Sequence, residues 1–164
     1  MKQIHDSEVL KEGQQVITAC AFIYHSFNGT EKVFLPKRAL TKKFLPGVFE
    51  LPGGHIDFGE EIESGLKREI REEFGMEVKI GDPFYVFTYK NEIKKSHSIE
   101  VIYLAKFSES INKIKINPED HSEYGWFGEN ELDKVINERK GEDDPEIKAI
   151  KKGFVLIKNG LVFF

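Results

Sequence analysis

Three glutamates, Glu69, Glu72 and Glu73, crowd into "REIREEFG" (68–75). On a helix, positions i, i+3 and i+4 share one side, so these carboxylates repel one another on a single rigid element. A helical pattern runs over 59–74, with Ile62, Leu66, Ile70 and Phe74 as its apolar stripe. Stepped at about 100° per residue, the acids fall beside and inside that stripe, and Ser64, Lys67 and Arg71 face outward. A solvated acidic face would lie opposite the stripe instead. Carboxylates aimed at the protein body need a counter-charge. Arg68 alone cannot serve all three. A divalent cation can, and hard oxygen ligands suit Mg²⁺ or Mn²⁺.

Just upstream, "LPGGHIDFGEE" places Gly53 and Gly54 before the helix start. Adjacent glycines let backbone approach a ligand closely. A lone Gly-Gly is also an ordinary loop, and its fixed distance from the glutamates is what raises its weight.

The spacing is the signal. Gly54 is followed by five residues, then Glu60, then seven residues, then Arg68-Glu69-Ile70-Arg71-Glu72-Glu73-Phe74-Gly75-Met76. This resembles the Nudix box, G-x5-E-x7-R-E-U-x-E-E-x-G-U with U aliphatic, at every fixed position. The flanks "ELPGG" and "SEYGWFGENEL" also look like the family. The resemblance implies an α+β fold, an α/β/α sandwich with a mixed β-sheet between helices. It implies Mg²⁺-dependent hydrolysis, with Mn²⁺ as a substitute, of a nucleoside diphosphate linked to another moiety. By the same resemblance Glu69, Glu72 and Glu73 are the metal ligands, joined by Gly53, with Arg68 and Glu60 as supporting catalytic residues in an ion pair behind them. Metal ions would bridge the diphosphate oxygens, screen their charge and acidify a bound water.

Outside the box, "NPEDHSEYGW" (117–126) offers Glu119, Asp120, His121 and Glu123 as a further ligand, base or substrate contact, with a solvated loop the equal alternative for each. Lys37 and Arg38, at the end of a strand, are placed to reach a phosphate, or form a solvated turn. Phe87, Tyr89, Tyr124 and Trp126 are candidates to stack on a base, although most aromatics on strands are core. Cys20 sits in an apolar strand and reads as core.

These groups must be held by a mixed domain. "QQVITACAFIYHS" (14–26) is rich in β-branched and aromatic residues and reads as a strand. Asn28-Gly29 signals a tight turn into a second strand, "KVFLPKRA", ending near Pro36. The Gly- and Pro-rich stretch 42–60 reads as loop with a short strand at 47–51. Two long strands follow at 76–92 and 96–107, then a short one in "SEYGWFG". "ENELDKVINERK" (129–140) reads as helical, with Leu132, Val135 and Ile136 on one face. The last helix has Asp144 as cap, Pro145 in its first turn, a stripe of Ile147, Ile150, Phe154 and Ile157, and Gly160 as its stop.

Composition bounds the function. The chain has 164 residues, 40% of them hydrophobic, which suits one domain over 1–164 with a core of its own. A net charge of -4 leaves no basic excess for nucleic acid. Cys20 is the one cysteine, so no internal disulfide forms. The apolar run "ITACAFIY" is too short to span a bilayer, and "MKQIHDSEVLKEG" has no signal-peptide core. The expectation is a cytoplasmic enzyme with a small-molecule nucleotide substrate, no nucleic-acid or membrane partner, and a homodimer as the compatible assembly. Nucleoside triphosphates, including oxidised or noncognate ones, rank first, in a small, fairly open pocket between the sheet and the loops around 36–48 and 117–126. Nucleotide sugars and ADP-ribose rank second. A non-catalytic ligand sensor is disfavoured because no box glutamate is lost. An isoprenoid diphosphate isomerase would need a catalytic cysteine, and nothing gives Cys20 that role.

Overall fold

In the computed structural model, residues 13–137 and 139–164 are described, so the N-terminal stretch read above for a signal peptide lies largely outside them. Six strands form one mixed sheet: β1 Gln15–Phe27, β2 Thr30–Arg38, β3 Gly53–His55, β4 Val78–Asn91, β5 Ser96–Phe107 and β6 His121–Phe127. Their order is β4-β5-β1-β2-β6, with β3 also paired to β1. β1 and β5 run parallel, from Gln15 opposite His97 to Ile23 opposite Ala105, and the other pairings are antiparallel. Helix α1, Ile62–Phe74, lies on one face and α2, Pro145–Lys158, on the other. This is the expected α/β/α sandwich.

Alternation along β1 builds both cores. Ala19, Ala21 and Ile23 face α1, where they pack with Phe34, Leu66, Ile70, Phe74 and Met76. Cys20, Phe22 and Tyr24 face α2, with Ile102, Leu104, Ile147, Ile150 and Phe154. Successive strand residues point to opposite faces, so one apolar run feeds two layers.

Where β1 and β2 part company, the site begins. β1 pairs with β2 only over Tyr24–Phe27 and with β3 over Thr18–Cys20. The segment 48–52 fills the gap between them: Arg38 N donates to Val48 O, Glu50 N to Pro36 O, and Ala21 N to Pro52 O, at 2.9, 3.0 and 2.9 Å. Pro36 therefore does not end β2, because it lacks a donor but its carbonyl still finds a partner. The short strand expected at 47–51 reduces to a single bridge, Lys37 to Phe49, and the strand itself is Gly53–His55.

Two helix limits also differ from the sequence reading. α1 starts at Ile62, not Gly59, because Gly59 is left-handed (φ 82°) and Glu60 N closes a turn onto Asp57 O. It ends at Gly75, which takes the left-handed cap and donates to Arg71 O. Of 129–140, only Glu129–Lys134 is helical, as a 3-10 turn. Asn137 Oδ1 accepts from the amides of Arg139 and Lys140 and turns the chain out of the helix. α2 follows the expected signals: Asp144 accepts from Glu146 N and Ile147 N at 2.8 and 3.2 Å.

Candidate active site on helix α1

The acids of α1 divide by depth. Glu72 stands on the exposed side, Glu69 has a side chain only 17% exposed, and Glu73 turns inward. Arg68 organises the first two. Its guanidinium contacts Glu60 at 2.9 and 3.0 Å, Glu69 at 2.8 Å, Glu72 at 3.4 Å and the His55 carbonyl at 3.0 Å. The hydrogen bonds that Arg68 donates to Glu60, followed by the one to Glu69, raise the Arg68 pKa against the opposing effect of burial. Glu60 also accepts from Asp57 N at 3.0 Å, so it ties the loop before α1 to the arginine.

Glu73 lies beyond that reach. Its Oε2 is buried without a hydrogen-bond partner. Burial, then the charges of Glu69, Glu50 and Asp120, push its pKa well above the usual carboxylate range. The glycine turn is tight against this group of acids. A Cβ on Gly54 would lie 2.7 Å from the Glu69 carboxyl carbon. A Cβ on Gly53 (φ 142°) would run into the Ala19 carbonyl. Both positions need glycine for different reasons, the first for space and the second also for conformation.

The remaining candidates separate. Arg38 is committed to the interior: its guanidinium sits 3.2 Å from both Glu50 oxygens and donates to Phe44 O at 2.9 Å. His121 is buried, stacks on Phe74 with ring centroids 5.2 Å apart, and lies 3.0 Å from Glu50 Oε1 through Nε2. Burial acts to raise the Glu50 pKa, but Arg38 and then His121 outweigh it and hold the carboxyl below its usual value. Asp120 pairs with Lys42 at 2.5 Å and is near enough to act on Glu73. Lys37 and Glu123 pair with each other at 3.2 Å, and Lys37 lies over Phe49 on the α2 side of the sheet, away from Glu73. Glu119 is exposed, its amide bonded to Asn117 Oδ1. The structure thus gathers Glu60, Arg68, Glu69, Glu72 and Glu73, sets Gly53 against β1 one residue before the Gly54 that abuts Glu69, brings Asp120 and His121 to their edge, and leaves Lys37 and Glu123 outside. Loops 36–48 and 117–126 bond to each other, Ala39 N to Asp120 O at 2.9 Å. Trp126 and Tyr124 pack on Phe34, and Tyr89 stacks on Phe44 at 6.0 Å.

Glu50, Glu100 and Glu146 escape a reading based on local pattern. Glu100 is buried on the α2 side of β5, 3.2 Å from Thr18 Oγ1. Burial, then the charge of Glu146, raises its pKa to about 8. Its signal in the sequence is alternation: Ser98, Glu100, Ile102 and Leu104 must share a face, so an acid stands where an apolar residue belongs. Glu50 gives the weaker signal of one charge between Phe49 and Leu51.

A family model described as the NUDIX domain matches residues 16–149. The chain belongs to the Nudix family. It is 33% identical over 106 residues to the nucleoside triphosphatase NudI of Escherichia coli O139:H28, covering 60% of this chain and 74% of that protein. The NudI of Salmonella paratyphi B is 31% identical over 105 residues, with the same coverage. Among solved structures, a MutT NUDIX hydrolase from Burkholderia pseudomallei is similar with a TM-score of 0.63 and 26% identity, over 77% of this chain and 92% of that one. The NUDIX domain of Shewanella oneidensis NrtR complexed with ADP ribose shares the fold, with a TM-score of 0.69 at 19% identity over 93% and 94%. Hydrolysis of a diphosphate linkage is the reaction class of this Nudix chain. Nudix hydrolases generally work with divalent metals. Among the described residues no helix is long and apolar enough to cross a membrane.

Proposed function

We propose that the protein is a Mg²⁺-dependent nucleoside triphosphate pyrophosphohydrolase, with Mn²⁺ as an alternative metal. The observation that carries this reading is the unpartnered, buried Oε2 of Glu73 beside Glu69, on the helix whose other acids Arg68 collects. Among the described residues no three acidic, histidine or cysteine side chains already converge on one point as a metal cage. The donor chemistry nevertheless fits a hard divalent cation, since the exposed Glu72, the recessed Glu69 and the orphaned Glu73 oxygen supply carboxylates from one helix. These three, with the Gly53 backbone, would hold the metal. When bound, it supplies charge neutralisation of the diphosphate and a more acidic water.

The chain's own residues do the positioning. Arg68 restrains Glu69 and Glu72, Glu60 restrains Arg68, and Gly54 leaves the space in which the Glu69 carboxylate rests. Such support of ligating groups by a surrounding layer is what holds a metal site to its geometry. Asp120 and His121 stand at the edge of the site, Asp120 as the nearest acid from the loop before β6 and His121 as a support for Glu50.

The choice of triphosphates is supported by likeness to proteins named nucleoside triphosphatase. Oxidised and noncognate triphosphates belong to the same substrate class. The test compares kcat/KM for a panel of nucleoside triphosphates, nucleotide sugars and ADP-ribose, with and without Mg²⁺. Triphosphates should lead, and only with metal present. A nucleotide sugar preferred tenfold over every triphosphate, roughly 1.4 kcal/mol of discrimination, would overturn the substrate assignment. Turnover undiminished after metal removal would overturn the metal assignment.

A further inference from the structure

Lys140 has no obvious reason to be buried. It sits on the irregular segment before α2, yet its side chain is only 1% exposed, and its ammonium is paired with Glu146, itself 14% exposed. A buried ion pair contributes little net stability, and an apolar pair of the same volume often does as well. The polarity has another use here. Besides Lys140, the Glu146 carboxylate accepts a hydrogen bond from the Leu51 amide.

That amide needs an acceptor from outside the sheet. In the segment that fills the gap between β1 and β2, Glu50 N is taken by Pro36 O, Pro52 has no N–H, and Pro52 O is taken by Ala21 N. Leu51 N is instead directed to α2, and a buried backbone donor left without a partner is costly. Glu146 is well placed to receive it, because Asp144 caps the helix onto the Glu146 and Ile147 amides and Pro145 fixes the first turn. Downstream, Gly53 is wedged against Ala19 and Gly54 against the Glu69 carboxylate. The Leu51 amide is three residues from the glycine that leaves room for the Glu69 carboxylate.

We propose that Glu146, its buried charge neutralised by Lys140, is a positioning acceptor: through the Leu51 amide it fixes the 50–54 turn and hence the seat of Glu69. This inference rests on the hydrolase reading for its effect on turnover, while its structural part can be tested separately. Two double variants isolate the device. Lys140→Met with Glu146→Gln removes both buried charges but keeps a side-chain oxygen for Leu51 N. Lys140→Met with Glu146→Leu removes the charges and the acceptor.

The measurements are kcat and KM for a nucleoside triphosphate at saturating Mg²⁺. They are accompanied by amide exchange at Gly54 and Ile56 relative to the α2 core amide of Ile150, which corrects for global stability. The glutamine variant should keep kcat within threefold of wild type. The leucine variant should lose kcat tenfold or more with KM changed less than threefold, and should exchange Gly54 and Ile56 at least tenfold faster relative to Ile150. Wild-type kcat and wild-type relative exchange in the leucine variant would overturn the proposal. If the leucine variant does not fold, Glu146→Ala in the same Lys140→Met background decides by the same readouts. Should the wild type hydrolyse nothing under any metal, the hydrolase reading fails. Relative exchange then decides the clamp by itself, faster exchange supporting it and unchanged exchange refuting it.

Discussion

Glu100 offers a quantitative test of the electrostatics beneath α2. Its carboxyl is buried beside Thr18, with its pKa raised from 4.5 to about 8 first by burial and then by Glu146. Between these values the folded chain holds a proton that the unfolded chain has already released. Stability therefore falls as pH rises through the window, by about 1.4 kcal/mol per pH unit. From pH 5 to pH 7 the wild type should lose about 3 kcal/mol from this group alone. Glu100→Gln keeps the shape and an oxygen for Thr18 but has no proton to hold. The Tm of the variant, relative to wild type, should therefore climb by roughly 6–12 °C between pH 5 and pH 7, at a few degrees per kcal/mol for a domain of this size. Thermal unfolding of both proteins across that range is the assay. A Tm difference that stays constant from pH 5 to pH 8 would show that Glu100 is ionised in the folded protein and would refute the reasoning.

Replacing Glu72 or Glu73 with Gln should lower kcat on the order of 10² or more, and wild-type activity in both single variants would remove them from the proposed machinery. Millimolar Mn²⁺ should raise the Tm of the wild type, because a ligand bound only to the native state stabilises it, and the rise should shrink in Glu73→Gln; scanning calorimetry with and without metal decides this. Gly54→Ala should cut kcat by at least tenfold with a smaller change in Tm, since its Cβ would meet the Glu69 carboxylate; unchanged kcat in a folded variant would mean that Glu69 is not held where the chemistry occurs.

Much of the site was legible in one dimension. The spacing from Gly54 to Met76 lies within one loop and one helix, where chain geometry alone decides which residues share a face. The acids beside the stripe of Leu66, Ile70 and Phe74 could therefore be placed before any tertiary contact was known. So could the strands and the cap of α2, whose signals are short-range. The apparent start of α1 at Gly59 was misleading because a left-handed glycine and the Asp57–Glu60 turn can resemble a first helical turn in pattern. The 129–140 segment misled because Asn137 competes for backbone amides that periodicity assigns to a helix.

Pairing across the fold was a different matter. Arg38 looked available for a phosphate, but the 48–52 segment delivers Glu50 to it, and His121 reaches the same carboxylate from 71 residues away. Lys37, one position earlier, points to the opposite face because strands alternate, and so pairs with Glu123 outside the site. Leu51 and Glu146 are 95 residues apart, and nothing local to either announces the bond between them. Hydrophobic periodicity and fixed motif spacing reflect neighbours a few residues apart, so the family resemblance, the layers and the acid-bearing helix could be read from residue order. Which cations those acids meet, and which buried charges reach the glycine turn, depend on where β1 parts from β2 and on where α2 packs, contacts between residues far apart in the chain that no local pattern encodes.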